Sequence, residues 1–324
     1  SIFLIYIGAG VLFVKAVATG VYMLRLVLVK IYVKRKYPAL DFYAEPNEGA
    51  LKQKNAALLH QVVGIIVNNT DTTVLTICLG AKSLLEVSVY GIYMMVVNAV
   101  NQLMTSFSNG LTAGFGEVIA KNEEETLKKS YSSYEYMYFV IMFIVIACMG
   151  VLILPFVGVY TINLTDVQYV RPVLGILFTL IVFMQNVRIP GLTIICAAGH
   201  YKETRYQAIL EAVINITVSL GLVWKFGMAG VLLGTVCSYG YRSFEIVFYT
   251  SRHLVKGCAK KSMFRILRNV FTVAILCTVG TYVIPQEITS FTTWFLYAIG
   301  MGLTSVFFVV VINYVVEPDE FMQL

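Results

Sequence analysis

Nine apolar stretches, each long enough to cross a bilayer, fill most of this chain and exclude a soluble fold. A helical span needs roughly 20 mainly apolar residues to cross about 30 Å of hydrocarbon. Charged residues make up only 13% of the sequence, against about a quarter in soluble domains. We therefore predict an all-α, polytopic transmembrane helix bundle. The predicted spans are residues 5–33, 56–80, 86–118, 132–158, 168–197, 204–224, 228–250, 265–284 and 291–316.

Lys and Arg residues of the connections fall almost entirely in the odd-numbered ones. Sixteen of them lie there, against Lys82 and Lys225 in the even-numbered connections. Since cytoplasmic loops retain positive charge, we predict that the odd connections are cytoplasmic, that Ser1 lies outside and that the acidic tail at 317–324 is cytoplasmic. The sixteen cations are Lys34, Arg35, Lys36, Lys52, Lys54, Lys121, Lys128, Lys129, Lys202, Arg205, Arg252, Lys256, Lys260, Lys261, Arg265 and Arg268.

The net charge of +6 is spread over these inner connections, where it sets topology and meets anionic headgroups. We therefore expect membrane lipids, and no nucleic acid, as partners. The six cysteines form no CxxC pair, and no histidine cluster has metal-ligand spacing, so neither disulfides nor a metal site are expected.

The chain begins at Ser1 and enters an apolar run at once, without a basic segment or a small-residue cleavage site. We therefore expect an N-terminally incomplete chain rather than a signal peptide. The longest polar stretch, residues 34–55, is predicted to be a cytoplasmic connector between two groups of helices.

Three segments of the chain resemble one known family. They are KRKYP after the first span, LKQKNAALLHQVVGIIVNNTDTTVL across the second, and RIPGLTIICAAGHYKETRYQAILEAVINITVSLGLVWKFGMAGVLLGTVCS from the fifth to the seventh. They are similar to the second half of bacterial polysaccharide-export flippases, the oligosaccharide flippase branch of the multidrug/oligosaccharidyl-lipid/polysaccharide exporter superfamily. The residues that carry the resemblance beyond the NNTD motif are Glu211, Asn215, Gly227, Gly230, Gly234 and Thr235.

The resemblance implies a two-lobe exporter fold of about fourteen helices, of which this chain matches roughly the last nine. Residues 1–33 would be the last helix of the N-terminal lobe, with most of that lobe missing. Residues 56–253 would form the six-helix C-terminal lobe, and 264–316 two accessory terminal helices. The implied protein is a monomer of the bacterial plasma membrane that moves undecaprenyl-pyrophosphate-linked oligosaccharide outward, with polysaccharide-biosynthesis enzymes as further partners.

Asp71 lies in the middle of the second predicted span, and Asn68 and Thr72 share its helical face. An ionisable group at a span centre costs at least about 2.5 kcal/mol on insertion scales, so it needs water, a partner or an interior position. Two interpretations stay open, namely binding of H⁺ or Na⁺ with a role in charge balance, and a structural hydrogen bond. No other cofactor is expected.

Arg188 lies two residues before Pro190 in the fifth predicted span. Proline in a helix interior removes a backbone hydrogen bond and kinks the helix, so Pro190 is a predicted hinge. The planar guanidinium group matches phosphate oxygens, which makes Arg188 a predicted phosphate contact in a cavity. The alternative is a structural ion pair with Asp71 or Glu211.

Lys15 and Arg25 are two further cations within the first predicted span. Lys15 lies deeper, and we predict that it contacts the pyrophosphate of a substrate. Arg25 is a second candidate for the cavity, but its long stem can also reach the headgroups at the cytoplasmic end.

Four other features have a predicted role. Glu211 and Asn215 form a polar stripe one helical turn apart, which predicts a gate, an ion-coupling site or a packing contact. Arg242 and Glu245 are spaced to form an ion pair. The glycines of GMAGVLLGT predict close helix packing. The tyrosines of the fourth span predict an interfacial belt; they are Tyr131, Tyr134, Tyr136 and Tyr138.

Two rival functions are less consistent with the sequence. A membrane-embedded glycan-processing enzyme needs a large external loop or a carboxylate and histidine cluster, and His60, His200 and His253 are predicted near the cytoplasmic boundary without acidic partners; we do not expect an enzyme. A multidrug exporter of the same superfamily would favour an acidic cavity. The cations of the spans favour an anionic lipid-linked glycan instead.

Overall fold

The computed structural model describes residues 10–38, 53–80, 83–285 and 288–321. The chain divides into two compact units, residues 1–52 and 53–324. Regular structure in the described residues is entirely helical, which confirms the all-α prediction. Most of the predicted connector at 34–55, and the last three residues of the predicted tail, lie outside the described residues.

The first unit contains one described helix, α1 (Val11–Lys36), whose last turn is basic. The described helices of the second unit follow one another with short connections. They are α2 (Lys54–Cys78), α3 (Ser83–Ser108), α4 (Leu111–Ala120), α5 (Glu124–Tyr160), α6 (Pro172–Val187), α7 (Ile189–Ala197), α8 (Arg205–Phe226), α9 (Met228–His253), α10 (Cys258–Val283), α11 (Phe291–Val316) and the short α12 (Pro318–Phe321).

Seven helical segments of the described chain are long and apolar enough to cross a membrane. This agrees with a multi-pass membrane protein. Helices α2 and α9 are equally long but too polar to qualify by the same standard, because each carries buried polar residues such as Asp71 and Arg242. The seven segments are Leu12–Lys36, Ser83–Ala120, Glu124–Tyr160, Pro172–Ala197, Arg205–Phe226, Cys258–Val283 and Phe291–Val316.

Two of the predicted spans each consist of two helices. The third breaks before α4 at Gly110, whose φ of 93° lies in the left-handed region open to glycine. The fifth breaks at Arg188, and Pro190 lies in the first turn of α7, where its missing N–H costs nothing. The helix therefore breaks where the sequence predicts, while a hinge motion at Pro190 stays a prediction.

The fifth span begins later than predicted. Helix α6 starts at Pro172, so Arg171 lies in the connection before it and not inside the span. Its guanidinium donates to both carboxylate oxygens of Glu86, at 2.8 and 3.0 Å. This even-numbered connection therefore contains a cation, but Glu86 neutralises it.

The predicted tyrosine belt is wrong. All four side chains are at most 5% exposed, because α5 is an inner helix that packs against α6, α10 and α11. Three of the four hydroxyl groups, those of Tyr131, Tyr134 and Tyr138, bond to other side chains of the protein; Tyr138, for example, donates to Asn186 Oδ1 at 2.9 Å. An interfacial belt would instead place the rings at the lipid surface.

Helices α8 and α9 pack more closely than any other pair in the described residues. A Cβ atom added at Gly234 would lie 2.2 Å from Ser219 Oγ, and one at Gly230 would lie 2.4 Å from the Leu222 carbonyl oxygen. Gly227 joins the two helices with a φ of 57°. The prediction of close helix packing is confirmed for Gly230 and Gly234, whereas nothing lies within 4 Å of a Cβ at Gly227.

Gly234→Ala is expected to destabilise the protein by roughly 1–3 kcal/mol, because the backbone nitrogen of Ser219 lies only 2.7 Å from the new Cβ and cannot rotate away. Gly240→Ala is the matched control on the same helix, since nothing lies within 4 Å of a Cβ there. Thermal unfolding in detergent should separate the two variants. Equal midpoints would contradict the close contact.

Candidate functional site

Two adjoining cavities lie between α2, α3, α6, α7, α8 and α9. The first has a volume of 270 Å³ and the second of 370 Å³. We call them together the polar cleft. They share the lining residues Val67, Asn68, Gln185 and Tyr239.

The first cavity contains a chain of alternating charges. Arg188 forms an ion pair with Glu211, whose other oxygen lies 3.5 Å from Nε of Arg242. Arg242 also pairs with Glu245, as the spacing predicts. All four side chains are at most 14% exposed, so each charge depends on its neighbours and not on water.

The break between α6 and α7 positions Arg188. Its guanidinium carbon lies 4.5 Å from the centre of the Tyr239 ring, within the range of a cation–π contact. Among the described residues, no acceptor lies within hydrogen-bonding distance of its buried Nε. Arg188 therefore has the ion pair that the sequence left open as an alternative, and also a donor for an additional acceptor.

The second cavity contains Asp71, which is 4% exposed. Its carboxylate accepts hydrogen bonds from Thr235 Oγ1 at 2.7 Å and from the Tyr90 hydroxyl at 3.3 Å. The amide nitrogen of Asn215 donates to Thr235 Oγ1 at 3.0 Å. In the described part of the chain, no Lys, Arg or His nitrogen lies within 4.0 Å of the Asp71 carboxylate.

Asn68 joins the two cavities, since its Oδ1 accepts a hydrogen bond from the Tyr239 hydroxyl at 3.2 Å. Tyr239 also lies over Arg188. The structure therefore brings together five of the predicted site residues, through partners that the sequence did not reveal. The five are Asn68, Asp71, Arg188, Glu211 and Asn215.

A cluster of amides at the second cavity escaped the sequence analysis. Asn101 donates to Gln185 Oε1 and accepts from Asn186 Nδ2, both at 2.9 Å. Tyr138 donates to the same Asn186. The sequence could have predicted this cluster, because amide side chains within two apolar spans need hydrogen-bond partners that hydrocarbon cannot supply.

Lys15 and Arg25 lie on α1, in the first unit, and their side chains are exposed there. Their predicted contacts with a substrate therefore stay predictions. Without them, the described lining of the cleft carries two arginines and two carboxylates. The expected excess of positive charge is not present in the described cleft, since Glu211 offsets Arg188.

A second buried ion cluster lies where α5, α10 and α12 meet. Arg265 is 1% exposed and contacts Glu135 at 3.1 Å and Glu317 at 2.9 Å. Arg265 counted as a loop cation in the sequence analysis, yet it lies inside α10, which begins at Cys258. Its partner Glu135 is 130 residues away in sequence, so no local pattern pairs them.

Glu320 on α12 extends this cluster to the surface. Lys261 and Ser132 both donate hydrogen bonds to it. Burial raises the pKa of the Glu320 carboxyl, but these two hydrogen bonds together with the positive charges of Lys261 and Arg265 outweigh burial, and the pKa falls below its ordinary value. The group is therefore ionised at neutral pH.

A comparison with protein families finds no family model that matches the chain, and a comparison with curated proteins finds no match. The resemblance to polysaccharide-export flippases stays a prediction.

Proposed function

We propose that this protein is a flippase of the bacterial plasma membrane. It moves undecaprenyl-pyrophosphate-linked oligosaccharide from the cytoplasmic to the outer leaflet by alternating access. The observation that carries the proposal is the polar cleft, where charged residues line cavities between membrane helices. Ionisable residues at such positions mark the pathways of ions and substrates, and broken helices line the binding sites of transporters.

The substrate class and the wider architecture come from the sequence resemblance. In this architecture the chain has nine spans, because α2 and α9 cross the membrane as the seven apolar segments do. These nine correspond to the last nine of about fourteen spans. The polar faces of α2 and α9 suit this arrangement, since both helices line the cleft. Their polar residues then face water or one another and not lipid.

Arg188 is the proposed phosphate contact. Its free Nε and its ion pair with Glu211 allow an exchange in which a phosphate oxygen replaces the carboxylate. Glu211 keeps Arg242 as a partner during that exchange. Transport requires that the substrate is also released. The positive and negative charges of the described cleft balance, so no excess of positive charge there retains the pyrophosphate. Lys15 is the proposed second contact.

Asp71 is the proposed coupling residue. It is a buried carboxylate with hydrogen bonds from Thr235 and Tyr90 but without an ion-pair partner among the described residues. A proton or Na⁺ would neutralise it, and the unpaired Asn215 Oδ1 supplies a second oxygen nearby. Carboxylate and amide oxygens are the ligands that hard cations take.

The same unpaired carboxylate favours one other function, the export of cationic drugs. An organic cation bound in the second cavity would neutralise Asp71 just as Na⁺ would. Tyr90 and Phe178 supply the aromatic surface that such compounds contact, with ring centres 5.6 Å apart.

Complementation tests the proposal. The gene is expressed in a bacterium that lacks its own capsule or O-polysaccharide flippase, and surface glycan is measured. We expect the protein to restore glycan, Arg188→Gln to lower it roughly ten-fold or more, since hydrogen bonds to charged groups contribute about 1.5–3 kcal/mol, and Asp71→Asn to lower it as well. Arg252→Gln, at an exposed arginine of α9, is the matched control.

Two results would contradict the proposal. Full activity of both cleft variants would exclude the assigned site. Resistance to cationic drugs without restored glycan, with the resistance lost in Asp71→Asn, would establish the drug exporter instead.

A further inference from the structure

We infer that a pocket at one membrane face binds the phosphate headgroup of an anionic phospholipid. The pocket has a volume of 370 Å³ and is separate from the polar cleft. We call it the lysine pocket after the four lysines in its lining, Lys128, Lys129, Lys256 and Lys261. The inference does not depend on the proposed transport function.

The position of the lysine pocket identifies the surroundings of its ligand. It lies where α5 and α10 begin and where α12 follows the end of α11. The helices α5, α10 and α11 are all long and apolar enough to span a membrane. The predicted spans within α5 and α10 begin at residues 132 and 265, and the one within α11 ends at residue 316, so the pocket lies just outside the hydrocarbon, at the depth of lipid headgroups.

The charges of the pocket leave two lysines for a ligand. Lys261 pairs with Glu320, and Lys256 lies 3.8 Å from Glu124. Lys128 and Lys129 have no carboxylate within 4.0 Å among the described residues. Both are exposed at the start of α5.

The lining holds four lysines against three acids, Glu125, Glu135 and Glu320, so an excess of one positive charge remains. Glu135 is 3% exposed and is held by Arg265 in the buried ion cluster. Glu320 is likewise engaged by Lys261 and Ser132. The first turn of the long helix α10 also lines the pocket, and its dipole adds positive potential.

An anionic phospholipid fits these features better than a soluble anion. Clusters of lysine beside membrane helices attract anionic headgroups, and basic pockets between helices hold them. A lipid already lies at this depth and needs no separate route to the site. The volume of 370 Å³ falls within the range of small-ligand sites, roughly 300–1,000 Å³.

Native mass spectrometry tests the inference. The full chain is reconstituted in phosphatidylcholine with increasing fractions of phosphatidylglycerol, and bound phosphatidylglycerol is counted. We expect Lys128→Gln/Lys129→Gln to weaken this binding on the order of ten-fold, since each lysine near an anionic surface contributes to attraction. Lys128→Arg/Lys129→Arg should retain it. The control, Lys54→Gln/Lys202→Gln, removes the same charge at exposed positions predicted for the same face.

Three results would overturn the inference. Equal loss in the control would mean general attraction to the surface. Unchanged binding in Lys128→Gln/Lys129→Gln would exclude the pocket. Binding of inorganic phosphate or glycerol 3-phosphate that Lys128→Gln/Lys129→Gln abolishes, without retention of phosphatidylglycerol, would identify a soluble ligand. Unfolding midpoints of all variants should agree, because the substituted side chains are exposed.

Discussion

Arg265→Gln is expected to destabilise the protein by about 3–5 kcal/mol, because removal of one partner leaves a buried charge without compensation. Arg265 is 1% exposed and contacts three carboxylates. Glutamine cannot neutralise them, and Glu135 is itself only 3% exposed. Thermal or denaturant unfolding in detergent measures the loss.

Glu135→Gln is the matched control for this prediction. It removes one of the three carboxylates and the hydrogen bond from Arg265 to Glu135 Oε2, but Arg265 keeps Glu317 and Glu320, and the one amide oxygen would still accept a hydrogen bond from Ser262. We expect a smaller loss of stability, of about 1 kcal/mol. A larger loss for Glu135→Gln than for Arg265→Gln would contradict the central position of Arg265 in the cluster.

Glu211→Gln is expected to have the second large effect. It leaves Arg188 without its carboxylate, and Arg242 with only Glu245. Since both arginines are at most 14% exposed, we expect a loss of stability of about 3–5 kcal/mol. Surface glycan should fall together with the amount of folded protein in the membrane.

The double variant Arg188→Gln/Glu211→Gln separates structure from transport. It removes one charge of each sign, and an amide pair can hydrogen-bond across the same gap, so most of the lost stability should return. We expect the double variant to be folded but unable to restore surface glycan, because the phosphate contact is gone. Restored export by the double variant would reduce Arg188 to a structural role.

Much of this fold follows from local sequence. A hydrocarbon core fixes span length, so apolar runs locate most of the described helix ends to within a few residues, while α5 and α10 begin eight and seven residues before the predicted spans. Pro190 fixes the helix break at Arg188, because proline cannot continue the hydrogen-bond ladder. The glycines at 230 and 234 predicted that a second helix approaches closely, and atoms of α8 lie where their Cβ atoms would be.

The partners of the polar side chains did not follow from local sequence. Thr235 is 164 residues from Asp71, and the contact depends on how α2 packs against α9. Helical periodicity says which face a residue occupies but not which helix meets that face. The prediction for the tyrosines at 131 and 138 failed for this reason, because an inner helix and a lipid-facing helix have similar aromatic content near their ends.

The contact between α8 and α9 determines which part of the charged chain is able to separate. Helices α8 and α9 approach so closely at Gly230 and Gly234 that neither position has room for a Cβ atom, which favours movement of Glu211 on α8 together with Arg242 on α9. Arg188 belongs to the break between α6 and α7, outside that pair. In a rocking motion of α8 and α9 together against α6 and α7, the ion pair between Arg188 and Glu211 would stretch before the one between Glu211 and Arg242 changes.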